Sequence, residues 1–466
     1  MKNLFSYALL DYLRYFAKLQ LLKNRPMIVG ITGSGGKTST MHAIHAVLKD
    51  SFSTVVSEKA NSQSGLSLHI LGISPKDYSS LDWLRMILLA PIKLLTNWKK
   101  YEVYIAEMGI DGPSLPANME YLLKIVRPKI GVFTSISGVH GEMFDAVVDA
   151  TMAMQGADAT GRETVMKEVI AKEKGRLLLS LPDNGTAVFN GDEDIIRKIG
   201  EAVTARTISI GEKNNNDVIC KLLKWKPKST LFEVSAQQQS AQIEIPDHWL
   251  PKHFAHTFGA AIAVGLALGI EVQEAARRIE ASFSMPPGRA TLIPAIHEAM
   301  ILDSSYNSSP ASLADLIETI AQLPQGQGFP TRYLALLGDM RELGSLSEQS
   351  HRHIAQQASK VFDRVYLVGP AMKVHAQPVF EQASVPAQWF GNAEEASQHI
   401  QQELKKGDLL LVKGSQNTLL LEIAVEQLMS PLENADSLLC RRGAYWDKQR
   451  SKLKTVIDPQ SSQLLS

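Results

Sequence analysis

Met27-Ile28-Val29-Gly30-Ile31-Thr32-Gly33-Ser34-Gly35-Gly36-Lys37-Thr38-Ser39-Thr40 is the stretch around which the rest of the chain can be placed. A short apolar run enters it, and Met41 to Leu48, apolar at helical spacing, leaves it. The order is strand, glycine loop, helix. Glycines let backbone N–H groups turn inward around an anion, and the positive end of the helix dipole adds its attraction. On this reading Gly33, Ser34, Gly35, Gly36, Lys37, Thr38 and Ser39 bind phosphate, with Lys37 on the outer phosphates and the Thr38 hydroxyl reaching Mg²⁺. The longer P-loop pattern wants a glycine where Ile31 stands, so only the shorter G-x-x-G-K-T core, Gly33 to Thr38, is met. A plain turn is the other reading of such a loop. The Lys-Thr pair, with a strand before it and a helix after it, argues for phosphate.

A chain of 466 residues is too long for one core, and two or three domains are expected. With 45% hydrophobic and 21% charged residues it has the balance of a globular protein. Lys+Arg and Asp+Glu are equal at 48 each, so no global field draws the chain to nucleic acid or to anionic lipid. Cys220 and Cys440 make neither a disulfide framework nor a zinc site, and a reducing cytoplasm is the expected location. Residues 1–25 read as an amphipathic helix, interrupted by Asp11, Arg14 and Lys18 and without a small-residue cleavage site. It either packs on the domain or contacts a membrane surface or a partner. Leu84 to Leu95 is also apolar, but it carries Arg85 and Lys93, should break at Pro91, and is too short to cross a bilayer.

Further strands are expected at Ser53–Val56, Val103–Ala106 and Ile130–Thr134, with a helix from Met119 to Val126. Alternating strands and helices imply a mostly parallel sheet, which places ligands at the carboxyl ends of its strands. The glycine loop, Glu107 and His140 all follow strand ends. From Gly185 the texture turns to short β-type pieces, followed by an alanine-rich helix, Phe254–Gly269, and another over Val272–Phe283. Pro286-Pro287-Gly288-Arg289 marks a boundary. Strands near Ala299–Leu302, Tyr333–Leu337, Arg364–Val368 and Asp408–Val412 then restart the α/β rhythm. The expected class is α/β: a central P-loop ATPase domain with a mostly parallel sheet, plus a smaller doubly wound, Rossmann-like C-terminal domain. The expected segments are 1–25 (helix), 26–288 (P-loop domain), 289–430 (C-terminal domain) and 431–466, a charged tail with a solvated helix.

A carboxylate at a strand end beside a P-loop commonly holds Mg²⁺, and Glu107 is placed for that, directly or through water. His140 is a candidate ligand for a second metal, or a contact to a transferred phosphoryl group. Taken together, Thr32 to Thr38, Glu107-Met108-Gly109 and Thr134 to Glu142 resemble the central domain of the Mur ligases. Ala171-Lys172-Glu173-Lys174-Gly175, Leu181-Pro182-Asp183-Asn184-Gly185, Pro287-Gly288-Arg289, Asp303 to Pro310, Leu337 to Gly344 and Val412-Lys413-Gly414-Ser415 follow in the family's order. They are most similar to the branch that adds D-alanyl-D-alanine to a nucleotide-linked muramoyl tripeptide.

The resemblance implies an ATP-dependent, ADP-forming ligase that joins a carboxylate to an amine through an acyl phosphate. It implies ATP and two Mg²⁺ ions as cofactors. Lys37, His140 and Lys174 would be catalytic, and Thr38, Glu107, His140 and Lys174 would hold metal. Lys174 would do so as a carbamate; from spacing alone, Lys172 and Lys174 are a lysine-rich helix face. Arg289, Asp303, Tyr306 and Asn307 would meet the nucleotide, and Asn61, Asp339 and Lys413 the other substrates, with a structural role open for Asp339 and Lys413. Closure of the C-terminal domain would exclude water. The implied partners are small nucleotide-linked and peptide substrates.

Four departures from the family pattern stand out. Nothing in residues 1–25 resembles the uridine-nucleotide-binding N-terminal domain, so the acceptor is held otherwise, is held by a partner, or is different. The family's His-Asn pair is His253-Phe254, and the arginine after Lys-Gly-Ser is Gln416. The segment between His140 and Lys174 is longer than usual, with Asp149 to Met166 as a lid or a surface insertion. The alternatives are the same chemistry on a polyglutamate- or cofactor-type acceptor, or a nucleotide-binding scaffold without catalysis.

Overall fold

The apolar run entering the glycine loop is a strand, β1 (Met27–Thr32), almost wholly buried as a parallel strand between helical layers must be. The computed structural model describes residues 2–58, 60–137, 142–155, 161–341, 343–415 and 419–452. Helix α1 (Lys2–Asn24) precedes β1 and α2 (Lys37–Leu48) follows its loop. Next come β2 (Thr54–Val56), α3 (Gln63–Leu71), α4 (Ser80–Thr96), β3 (Val103–Glu107), α5 (Met119–Ile125) and β4 (Ile130–Phe133). After them run α6 (Asp145–Gln155), α7 (Arg162–Leu179), β5 (Thr186–Asn190), α8 (Asp194–Glu201) and β6 (Arg206–Gly211). Three strands joined by short turns, β7 (Val218–Lys226), β8 (Ser229–Ala236) and β9 (Gln239–Pro246), lead to α9 (Phe254–Ala267) and α10 (Val272–Ser282).

The nine strands form one sheet in the order β2-β3-β1-β4-β5-β6-β7-β8-β9, with every pairing from β2 through β7 parallel. Met27 to Ile31 pair with Val103 to Glu107 on one side, and Val29 to Thr32 pair with Ile130 to Phe133 on the other. From β1 the chain passes first to the β2–β3 side and later to β4. The glycine loop therefore sits at the point where strand order reverses, between the carboxyl ends of β3 and β4.

The chain divides into two compact units, one of Met1–Leu222, Phe232–Ile243 and His253–Ser284, the other of Leu223–Leu231, Glu244–Lys252 and Met285–Ser466. The second contains β10 (Thr291–Pro294), β11 (Met300–Ser304), α11 (Pro310–Ala321), β12 (Arg332–Gly338), α12 (Ser347–Ala358) and β13 (Arg364–Val368). It continues with α13 (Gln377–Gln382), β14 (Ala387–Phe390), α14 (Ala393–Glu403), β15 (Asp408–Lys413), α15 (Glu422–Leu428), α16 (Ala435–Leu438) and α17 (Ala444–Lys452). Its sheet has the order β10-β11-β15-β12-β13-β14, parallel except for β10 against β11.

Three expectations need correction or a decision. Pro91 does not break the apolar stretch, because α4 runs through it. A proline there leaves the Ile87 carbonyl without its helical donor, and the Tyr12 hydroxyl of α1 donates to that oxygen at 3.2 Å. Helix α1 itself packs on the domain, burying Leu13, Ala17 and Gln20 against α3, α4 and α5. The tail is not simply a solvated helix. Leu439, Cys440 and Arg441 are buried, and the Arg441 guanidinium pairs with the buried Glu422 carboxylate at 2.5 Å. Spacing could not reveal this, because the partner lies on α15.

Candidate functional site

Gly36 caps α2 with φ of 76°, a left-handed backbone that glycine adopts without strain, so the helix starts at Lys37 with its N–H groups facing the loop. A Cβ at Gly33 would lie 2.0 Å from Thr134 Oγ1, so only glycine fits beneath the segment that follows β4. That segment fixes the loop. Ser34 N–H donates to the Ser135 carbonyl at 2.8 Å, Gly35 N–H to Ser135 Oγ at 3.0 Å, and Thr134 Oγ1 to the Gly35 carbonyl at 2.7 Å. Ser137 N–H donates to Ser34 Oγ at 3.0 Å. In the sequence, Thr134 and Ser135 stand out only as part of a motif. Their hydroxyls directly after a strand were the available signal for this support.

Glu107, at the end of β3, accepts from Thr38 Oγ1 at 2.8 Å through one oxygen and from Asn61 Nδ2 at 3.3 Å through the other. Its own N–H donates to Ser57 Oγ at 2.8 Å, a contact with no signal in the sequence. Lys37 Nζ and Lys174 Nζ both donate to the Gly33 carbonyl, at 3.0 and 3.2 Å. Lys174 is buried on α7 while Lys172 is exposed, so they do not share a solvated lysine face. Burial first, then the positive charge of Lys37, brings the Lys174 ammonium down to about 7, with Asp111 opposing. Near neutrality a large share of this amine is therefore unprotonated. Gly33, Ser34, Gly35, Gly36, Lys37, Thr38, Asn61, Glu107 and Lys174 thus gather at one sheet edge, and Ser39 is buried in the first turn of α2. The fit for a hard dication is good at Thr38 and Glu107, both oxygen donors. Among the described residues no three His, Cys, Asp or Glu side chains form a metal-ligand cluster. His140, Gln416 and residues 156–160 of the long segment lie outside the described residues, whereas Asp145–Gln155 and Arg162–Met166 are helical.

The second unit assembles its own group at the carboxyl ends of β11 and β15. Lys413 Nζ donates to the Asn307 carbonyl at 2.9 Å and to Ser304 Oγ at 3.3 Å. Burial, followed by the Arg289 charge, lowers Lys413 to about 7. Asp303 is fully buried, and burial pushes its carboxyl up to about 6 even though Ser305 donates to it. The Arg289 guanidinium lies 4.7 Å from the centre of the Tyr306 ring. Arg441, in the segment expected to be a solvated tail, donates to the Ser305 and Tyr306 carbonyls and so props this turn from behind. Asp339 directly follows β12 and turns its carboxylate to the N–H groups of Ala371 and Met372, at 3.2 and 2.8 Å. Phe254 is buried against Phe258 in the first unit, packed as core.

The model of the Mur ligase middle domain matches residues 31–154 and 164–265, and that of the Mur ligase glutamate ligase domain matches residues 288–416. The UDP-N-acetylmuramoyl-tripeptide–D-alanyl-D-alanine ligase of Bacillus subtilis is 26% identical over 427 residues, covering 91% of this chain and 80% of that one. The enzyme of the same name from Rickettsia prowazekii is 24% identical over 397 residues, covering 84% and 76%. Among solved structures, the MurF ligase of Thermotoga maritima in complex with ADP superposes with a TM-score of 0.65 at 22% identity, over 90% of this chain and 83% of that one. FolC of Escherichia coli in complex with DHPP and ADP gives 0.56 at 15%, over 87% and 90%. Both structural likenesses speak for the fold. With two adjoining domain models matched in order, and the loop, strand-end carboxylate and buried lysine drawn together, the chain belongs to the Mur ligase family.

Proposed function

We propose that this protein is an ATP-dependent, ADP-forming carboxylate–amine ligase that adds D-alanyl-D-alanine to a UDP-N-acetylmuramoyl-tripeptide-like acceptor in peptidoglycan precursor synthesis, working in the cytoplasm. The observation that carries it is the convergence of Lys37, Thr38, Glu107 and Lys174 on one glycine loop. The acceptor carboxylate attacks the γ-phosphorus of ATP, ADP leaves, and an acyl phosphate forms. The amine then adds to its carbonyl carbon, the tetrahedral adduct expels inorganic phosphate, and the nitrogen loses its proton. Lys37 and the N–H groups at the start of α2 hold the β- and γ-phosphates and stabilise the charge that builds there. Bound Mg²⁺, held by Thr38 and Glu107 and at a second position by Lys174 and His140, would supply charge neutralisation across the triphosphate.

Lys174 suits that position only as an anion. Its unprotonated amine adds to CO₂ with loss of one proton, which gives a carbamate with two oxygen donors; an ammonium would repel the ion. Arg289, Asp303, Tyr306 and Asn307 serve the nucleotide from the second unit, and Lys413 orders the Asn307 turn. The test is phosphate release by purified protein given ATP, Mg²⁺, UDP-N-acetylmuramoyl-tripeptide and D-alanyl-D-alanine. Release that needs both acceptor and amine is expected. Release without amine points to a plain NTPase, and none under any mixture to a scaffold; either overturns the reading.

A further inference from the structure

Helix α4 turns a row of large aliphatic side chains to solvent. Leu81, Leu84, Leu88, Ile92 and Leu95 are 78%, 52%, 61%, 52% and 72% exposed. Their spacing of three and four residues puts them on one face, a stripe of about 21 Å at 1.5 Å per residue. The other face is already used, since Met86 and Ala90 are buried in the core of the first unit. At the two ends of the stripe stand exposed aromatics, Tyr78 and Trp98.

The charge around the stripe is one-sided. Residues 76–100 carry Lys76, Arg85, Lys93, Lys99 and Lys100 against Asp77 and Asp82. Asp82 is buried, paired with Arg85 at 2.7 Å, and accepts from the Lys76, Asp77 and Tyr78 N–H groups. Lys99 and Lys100 are exposed beside Trp98, and Lys23 Nζ lies 3.4 Å from the centre of that indole ring. The surface is also preformed. Lys23 donates to the Leu94 and Asn97 carbonyls at 3.0 Å each, Gln20 to the Asn97 carbonyl at 3.1 Å, and Asn24 to that of Lys99 at 3.0 Å.

We propose that α4, with Trp98, Lys99 and Lys100, docks this protein on an anionic phospholipid surface, the leucine stripe lying in the interface and the lysines among the headgroups. Aliphatic residues on one face, aromatics at the ends and lysines beside them are what an interfacial helix presents to lipid. A protein partner would more commonly meet a central aromatic or arginine anchor, which this stripe lacks. A second copy fits less well in parallel, where Lys99 and Lys100 would meet their own copies; antiparallel pairing, which sets them against Lys76 and Asp77, is the outcome that the dimer arm of the test detects. The proposal is independent of the ligase reading.

Flotation of the full-length protein tests it, using vesicles that contain phosphatidylglycerol beside vesicles of phosphatidylcholine alone. The wild type should float with the anionic vesicles and be released by salt. Leu88→Glu should lower its partition about tenfold or more, since it removes buried area and adds repulsion. Lys99→Gln with Lys100→Gln should also cost about tenfold or more, at roughly 1 kcal/mol for each basic residue near the surface, and provides a second reading should Leu88→Glu alter the thermal transition. A wild type that floats with neither vesicle overturns the proposal. So does partition unchanged in both variants, or a dimer that Leu88→Glu dissociates without any lipid binding.

Discussion

Lys37 and Lys413 show how single side chains divide the work. Lys37 reaches the Gly33 carbonyl at the mouth of the loop, so Lys37→Ala should leave the fold intact and lower phosphate release about 10²–10³-fold, measured under saturating ATP. Gly33 is constrained by shape, with Thr134 Oγ1 where a Cβ would go. Lys413 carries a stability signature. Its folded pKa of about 7 lies below its ordinary 10.5. Between those values the unfolded chain binds a proton that the folded one does not, so stability rises with pH across that window and is flat below it. The slope from one such group is at most about 1.4 kcal/mol per pH unit. Asp303, raised from 3.8 to about 6, acts with the opposite sign, its contribution falling as pH climbs between those values. Urea unfolding at stepped pH should show the alkaline slope shrinking in Lys413→Met while the acid one persists.

Among the elements, α4 is one whose local sequence and observed form disagree. Pro91 removes an N–H and should stop a helix; instead a hydroxyl from α1 occupies the stranded Ile87 carbonyl. Tyr12→Phe should therefore cost about 0.5–1.5 kcal/mol. In a Pro91→Ala background, where the Ala N–H can take that carbonyl, the same change should cost less. A double-mutant cycle by chemical unfolding measures the difference. The strands are plainer in the sequence: Val103, Ile130 and Arg364 begin elements where apolar runs and flanking polar residues mark them.

At the scale of the molecule, the second unit is closed by Leu439, Cys440 and Arg441, which follow α16 and are buried. Arg441 spans from Glu422 on α15 to the carbonyls of Ser305 and Tyr306, joining the segment after α16 to the turn after β11. Removing one partner of a buried pair strands a charge. Arg441→Met should cost about 3–5 kcal/mol by that rule, while the pair Arg441→Met with Glu422→Leu should recover most of it. Equilibrium unfolding followed on the whole chain checks both. The α4 stripe belongs to this scale too, because its exposure depends on which face the core has already taken.

The sequence alone determined the glycine loop, the α/β rhythm of both halves and the identity of Lys37, Thr38 and Glu107 as one group, because strand–loop–helix order and parallel pairing leave those residues few other places to be. It could not determine which lysine of α7 is buried, that Thr134 and Ser135 brace the loop, that Pro91 sits inside a helix, or that Arg441 is core. Each of those depends on a partner far along the chain, and only the packed structure brings such a partner within hydrogen-bonding distance and strips the water that would otherwise compete for it.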